Sequence, residues 1–521
     1  MSYVDESYSR NLQISTYNIG KERKIISSKI SRRDFLKTAA AGAAAAGLAG
    51  TLRGRLLRDL FPPAKAQEPI PINSAIVIGS GFGGCCAAML LADMGKQVTL
   101  IEKCHRPGGR CQQYNYPNGQ HATVAFMEWY DMDEDMWWLV NELGYAKKDY
   151  VGWPDPTFYN WRDQFTWDSN WTKMVNALPW DDEGGAADAL AYEDWIWKNR
   201  GQIAEPVDLP PSNYDTFDHT DYETWMLDNY RNDVTEWWGI NMGGEFGTAI
   251  NLQSAGMGHW CADYWNNDAA YSLKVGNFDF IERMISRLPA GSLVLNKEVS
   301  SVENTATGVE VTAKGQKYTA DVAIVSVDHT QVANVVPELP SARVAALAEQ
   351  GSSKNFVCLQ QYTERFWETV YGVTGWGGYS DMGIHHTLTP GNLTTDFETF
   401  GQEGTTGILS QYLNEPYSLD HWSSPKGIHA SKRTARQVTD FVLDDMETFW
   451  PDARNYLIEG SERVYQWEPY TAMFPPRYVL DGKYAANRVP IGNIYFAAAY
   501  IYDAGASSAV LAARDTVANF T

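Results

Sequence analysis

The stretch from Ser74 to Glu102 constrains this chain more than any other part of it. Ala75 to Ile78 is a short apolar run of buried-strand type, and Gly79-x-Gly81-x-x-Gly84 follows it at once. An Ala/Leu/Met-rich segment of helical character comes next. Gln97–Ile101 is then a second apolar strand, ended by Glu102. The order strand, glycine turn, helix, strand, acid is that of a dinucleotide-binding unit. Its three glycines have separate tasks: a tight turn, backbone approach to a pyrophosphate, and close packing of helix on strand. The helix N-terminus offers free N–H groups and a partial positive charge to phosphate. A carboxylate at the end of the second strand lies where ribose hydroxyls are bound. Gly79, Gly81, Phe82, Gly83, Gly84 and Glu102 therefore form the expected cofactor-binding set.

At 521 residues the chain exceeds what one hydrophobic core normally serves, so two intertwined or sequential domains are expected. Six cysteines (85, 86, 104, 111, 261 and 358) form no CxxC and no zinc-type spacing, so no metal site and no disulfide framework are expected.

The N-terminus reads as a targeting segment. Ser31-Arg32-Arg33-Asp34-Phe35-Leu36-Lys37 has the twin-arginine export pattern, an Ala/Gly-rich run follows to Leu52, and Ala64-Lys65-Ala66 is a small-x-small cleavage site. That run is too short and too Gly-rich to span a bilayer, and no later run is long enough, so no transmembrane anchor is expected. Twin-arginine export carries folded proteins, which suits an enzyme that takes up its cofactor in the cytoplasm and works in the periplasm. Residues 1–66 hold 12 basic and 5 acidic residues, so cleavage would move the formal net charge from −22 to −29. Such a surface excludes nucleic acid as a partner.

After Glu102 comes Arg106-Pro107-Gly108-Gly109-Arg110, in which an arginine on a glycine turn can reach phosphate oxygens. With the glycine fingerprint and the acid-ended strand, this turn resembles the flavoprotein family of amine oxidases and carotenoid (phytoene-type) desaturases. The C-terminal Pro490–Ala497 strand and Ala504–Arg514 helix are similar to that family's last strand and helix. The resemblance implies FAD, bound non-covalently because the covalent-flavin cysteine is absent. It places Gly109 and Arg110 beside the pyrophosphate and the backbone of Val299 at the adenine. The implied fold class is α/β: a Rossmann-type, glutathione-reductase-like FAD-binding domain with an interleaved α+β substrate domain. Residues 67–128, 270–335 and 465–521 would form the first, and 129–269 and 336–464 the second.

Residues 129 to 265 carry 15 of the 20 tryptophans, and as a set they suggest a large apolar cavity in a mainly helical insert. Helices are expected over Asp135–Leu143 and Tyr222–Trp238, and strands over Asn355–Tyr362 and Tyr318–Val327. Against the family pattern three departures stand out. The amine oxidases' lysine position falls on Val357, with Lys354 three residues off. The usual acid after the last strand is replaced by Ala498-Ala499-Tyr500, with Asp503 reachable by another route. The acid after the Gly-Gly-Arg turn is replaced around His121.

These departures favour a dehydrogenase or desaturase that abstracts a hydride from an allylic C–H of a small apolar, terpenoid-like substrate. His121, Glu128 and Tyr500 are then the candidate catalytic groups. The alternative is an amine or amino-acid oxidase with Tyr470 and Tyr500 as aromatic walls. A third is a non-catalytic FAD-binding partner subunit. The periplasmic setting makes a quinone or a cytochrome the expected electron acceptor.

Overall fold

The computed structural model describes residues 69–131, 133–153, 157–199, 214–267, 269–375, 377–384, 386–388, 406–414, 432–467, 472–502 and 505–521. The signal segment, Tyr470 and Asp503 lie outside them. The described residues belong to one compact unit, Pro69–Thr521.

A five-stranded parallel sheet carries the cofactor-binding unit, in the order Leu293–Val294, Gln97–Ile101, Ser74–Ile78, Val322–Val325, Ile494–Phe496. Its central strand is buried on both faces, as an all-parallel sheet requires. Ala75 and Val77 face one core, with the helices Phe82–Asp93, Phe278–Ser286 and Ala506–Val517. Ile76 and Ile78 face the other, with the three-stranded antiparallel sheet of Val299–Thr305, Gly308–Ala313 and Gln316–Ala320. Each fully buried Val or Ile contributes about 1.5–3 kcal/mol relative to exposure. The period-2 alternation of these residues sets the strand register.

The second layer is a seven-stranded sheet in the order Arg463–Trp467, Asn355–Tyr362, Gly407–Asn414, His386–Leu388, Gly377–Ser380, Thr157–Trp161, Gln164–Thr166. The helix Lys432–Phe449 packs against it through Val438, Val442 and Met446 and ends before Pro451, as its spacing predicts.

Several expected boundaries move. Tyr222–Trp238 is two helices, Tyr222–Asn229 and Asn232–Phe246. Tyr230 and Arg231 between them adopt extended backbone, so the helical ladder stops and restarts. Tyr318–Val327 is likewise split, with Gln316–Ala320 in the antiparallel sheet and Val322–Val325 in the parallel one. Asp321 at the break accepts hydrogen bonds from the backbone N–H of Asn73 and Ser74 (2.6 and 3.0 Å), tying the second piece to the first strand. The helix Glu134–Glu142, placed by sequence in the substrate insert, packs instead in the cofactor-domain core through Met136, Leu139 and Val140. The strand Arg463–Trp467 crosses the expected division at residue 464.

The tryptophans also settle differently from expectation. Trp161, Trp237 and Trp238 are fully buried in a core of their own, with Trp171, Trp180, Trp195 and Trp225 packed against it. Four of their indole N–H groups find partners there: Trp171 donates to Glu193 and Trp238 to the Tyr222 hydroxyl, both at 2.7 Å, Trp161 to Glu236 and Trp180 to the Val175 carbonyl. Of the insert's described tryptophans, only Trp260 also lines the large cavity. The tryptophan-rich segment fills a core rather than walling a site.

Candidate active site

One cavity of about 1110 Å³ runs from the carboxyl ends of the parallel strands into the layer beneath the second sheet. It begins at Gly79–Gly83, Glu102, Gly109, Arg110 and Val299, and passes Ala498–Tyr500 and the N-terminus of the Ala506–Val517 helix. Its walls also include Met127, Glu128, Glu245, Phe246, Trp260 and Trp467.

The glycines differ in what surrounds them. Gly79 has φ +94°, and a Cβ there would lie 2.3 Å from the Ser326 carbonyl oxygen. A Cβ on Gly84 would sit 1.8 Å from the Gly79 carbonyl oxygen, so this glycine lets helix meet strand. A Cβ on Gly81 would meet no protein atom within 4 Å. It would point into space left open for something else. The Gly-Gly-Arg turn closes against this loop: Gly108 N–H donates to the Ser80 carbonyl at 2.8 Å. Glu102 braces both segments, accepting from Ser80 N–H (2.9 Å), Ser80 Oγ (2.7 Å) and Cys104 N–H (2.8 Å). An ionised carboxylate has about four acceptor sites, so one remains for a ribose hydroxyl.

The helices Phe82–Asp93 and Ala506–Val517 both begin at this cavity with no capping side chain and no acid in the first turn. Their N–H groups and positive ends suit an anion. Arg106 lines the same cavity with its Nε and one terminal nitrogen buried and unpartnered. Burial lowers its pKa, and a negatively charged ligand would answer that cost. An open glycine cradle, two helix N-termini without a side-chain cap among the described residues, and the partly unpaired Arg106 guanidinium together fit a dinucleotide with its pyrophosphate.

Of the three candidate catalytic groups, His121 is misplaced by the sequence reading. It pairs with Asn115 in the hairpin Cys111–Asn115/His121–Ala125 and packs on the Gly276 turn, away from the large cavity. The alternation of that strand directs it elsewhere, and burial lowers its pKa. Tyr500 does line the cavity, but its phenol lies against the buried Arg343, which donates to the Val489 and Asn487 carbonyls. Burial pushes the phenol up to about 12, so it is a weak proton donor set in the wall.

Glu128 is where the chemistry gathers. It lies between the strands His121–Ala125 and Trp129–Tyr130, preceded by Ala125 at φ +70°. Non-glycine residues held in the left-handed region cluster at functional sites. Burial, then the neighbouring Glu245 carboxylate, pushes Glu128 up to about 8. Glu245, which sequence reasoning missed, stands in the last turn of the helix Asn232–Phe246 and is pushed up to about 7 by burial. The signal for it was an acid in the Gly243-Gly244-Glu245-Phe246 stretch, where every neighbour is buried. Asp133 lines the same region and accepts from Tyr130 N–H at 2.8 Å. Both glutamates retain part of their surface because what they face is the cavity, while protein encloses them otherwise.

The amine-oxidase lysine position carries an apolar residue. Val357 is fully buried between the second sheet and the hairpin, and Lys354 is exposed at the strand's start. Among the described residues no group of three or more His, Cys, Asp or Glu is placed to hold a metal, and no helix is long and apolar enough to cross a membrane.

Fold and cavity are those of an FAD-dependent oxidoreductase. Residues 82–519 match the model of the flavin-containing amine oxidoreductase family, and the chain belongs to it. Residues 29–49 match the twin-arginine translocation signal, which directs export to the periplasm. An L-amino-acid oxidase of Pseudechis australis is 23% identical over 547 residues, covering 91% of this chain and 94% of its own. A hydroxyneurosporene desaturase of Rubrivivax gelatinosus is 37% identical, but over 65 residues and 12% of each chain. The structure of a putrescine oxidase bound to putrescine superposes with a TM-score of 0.69 at 18% identity, covering 86% of this chain and 98% of the other. At that identity the likeness shows the fold.

Proposed function

We propose that this protein oxidises a cationic amine without a carboxylate group, using FAD in the periplasm. The observation that carries the reading is the acidic end of the cavity: Glu128, Glu245 and Asp133 line it, and neither glutamate has an ion-pair partner among the described residues. An ammonium about 4 Å from one ionised carboxylate gains on the order of 4 kcal/mol at an effective dielectric of ~20. A substrate carboxylate in the same place would lose a comparable amount, which counts against amino acids. Phe246, Trp260 and Trp467 supply apolar wall for the rest of the amine.

When bound, FAD supplies a two-electron acceptor. The chain's own part is to hold the amine by charge, exclude water with the aromatic walls, and manage a proton at the carboxylates. Long-range likeness to an amino-acid oxidase, against a desaturase likeness confined to the glycine segment, supports nitrogen rather than hydrocarbon chemistry. The allylic reading keeps one supporting observation: the lysine position is an apolar core residue, Val357.

The test is anaerobic bleaching of the flavin band by three panels: carboxylate-free amines, L-amino acids and small terpenes. Bleaching by the first panel alone is expected. Bleaching by terpenes alone would refute the amine reading.

A further inference from the structure

We propose that Glu128 takes the substrate's ammonium proton, while Glu245, held by Tyr379, is the anionic anchor that keeps the nitrogen beside it. This assignment rests on the amine reading above. Three separate elements converge to make it: the link after the strand His121–Ala125, the last turn of the helix Asn232–Phe246, and the strand Gly377–Ser380.

The two carboxylates differ in their hydrogen bonds. Glu245 Oε1 accepts from Tyr379 Oη at 2.5 Å, a strong bond that favours the ionised form. Glu128 Oε1 accepts from Tyr130 Oη at a longer 3.2 Å, and its Oε2 is buried with no partner among the described residues. A buried carboxylate oxygen without a donor is costly when charged and is relieved when it carries a proton. Around Glu128 the ionisable groups are Glu245, Asp133, Tyr130 and Tyr379; around Glu245 they are Glu128, Tyr379 and Tyr159. Every one is acidic, so a second negative charge on the pair is resisted until a cation enters. Both carboxylates are pushed well above the ordinary glutamate range, Glu128 by burial and then by the Glu245 charge, Glu245 by burial against the opposing Tyr379 hydrogen bond. Such a pair titrates as a unit, and the roles belong to its two steps.

The step is a proton transfer. An N–H bond of the ammonium breaks, an O–H bond forms on the Glu128 carboxylate, and the electron pair stays on nitrogen. That lone pair makes the adjacent carbon a hydride donor. Tyr379 is a positioning residue: it fixes Glu245 and touches neither the substrate nor the proton.

The experiment is calorimetric binding of benzyltrimethylammonium, a cation with no N–H, in buffers of different ionisation heat at neutral pH. Wild-type holoenzyme is expected to release protons on binding. Glu128→Gln should still bind and release less than half as many, and Glu128→Asp should restore part of the release. Glu245→Gln should weaken binding about tenfold while most of the release persists. Tyr379→Phe should move the lower titration of the pair upward, since its hydrogen bond lowers Glu245. With benzylamine, Glu128→Gln should slow anaerobic flavin reduction about a hundredfold and remove its pH dependence. An unchanged flavin spectrum and thermal midpoint would confirm that the variants fold. Release in Glu128→Gln equal to wild type, or binding without any release, would overturn the division of roles. Failure of the wild type to bind any cation would instead overturn the amine reading beneath it.

Discussion

Replacing Gly81 and Gly84 separately by alanine should split cofactor binding from folding. Gly81 has φ −72° and ψ −173°, extended backbone that alanine adopts freely, and its Cβ would meet no protein atom within 4 Å. Reduced unfolded-state entropy should then leave apo Gly81→Ala as stable as wild type, or more stable by about 0.4–1 kcal/mol. The space that methyl would occupy is the cavity beside the phosphate-binding turn. FAD affinity should fall at least about tenfold, or ~1.4 kcal/mol. Gly84→Ala reverses the pattern. Its Cβ would lie 1.8 Å from the Gly79 carbonyl oxygen and 3.3 Å from Ser326 Cβ, so a buried turn must shift by more than an ångström. Over-packing of this kind costs about 1–3 kcal/mol, and here the obstacle is backbone rather than a flexible side chain. Thermal unfolding of flavin-stripped protein reads stability, and quenching of flavin fluorescence on titration reads affinity. The reasoning fails if Gly81→Ala lowers the apo midpoint as far as Gly84→Ala does, or if it leaves FAD affinity unchanged.

Two further outcomes follow from buried groups. Asp218 is fully buried, and burial raises its pKa from 3.8 to about 7 despite hydrogen bonds from Ser254 and the Leu480 N–H. Below pH 3.8 it is neutral in both states; as pH rises toward 7 the unfolded chain ionises first, so stability is lost across that window and is flat above it. Asp218→Asn should flatten urea midpoints between those pH values, and an unchanged slope would exclude Asp218 as a source. Val357→Lys, which restores the lysine of the amine-oxidase pattern, should destabilise the protein by at least ~2 kcal/mol. It would bury an ammonium beside Tyr465 and Tyr412 in an apolar cluster; denaturant unfolding with no loss of midpoint would show that the site opens to the cavity instead.

The cofactor half was largely legible because its constraints are local. A four-residue apolar run, three glycines at fixed offsets and an acid ending the next strand leave few backbone paths, and each glycine does the work its spacing implied. Glu102 and Gly81 needed no tertiary information to be found. The substrate half was less legible. His121 and Glu128 lie seven residues apart, at the start of the hairpin's second strand and beyond its end, yet the first packs on the Gly276 turn and the second, after the turn of the backbone at Ala125, lines the cavity. Tyr500 reached the cavity wall with its hydroxyl turned to Arg343. Glu245 was passed over because a single acid near the end of a helix ordinarily faces solvent.

What the sequence alone determined is the nucleotide-binding chemistry, the export route and the family, since each is written in contiguous residues whose spacing is itself the physical requirement. The tertiary structure alone decided what surrounds the reacting group. The tryptophans, which as a list suggested an apolar cavity, are consumed by a core between helices and sheet, where their rings pack together and several indole N–H groups find partners. Glu128 and Glu245 stand 117 positions apart in the chain and become one acidic site only when a hairpin exit and a helix end meet over the second sheet. Their perturbed protonation arises from that meeting, from burial of both and, at Glu128, from the Glu245 charge, and neither residue's neighbours in sequence contain it.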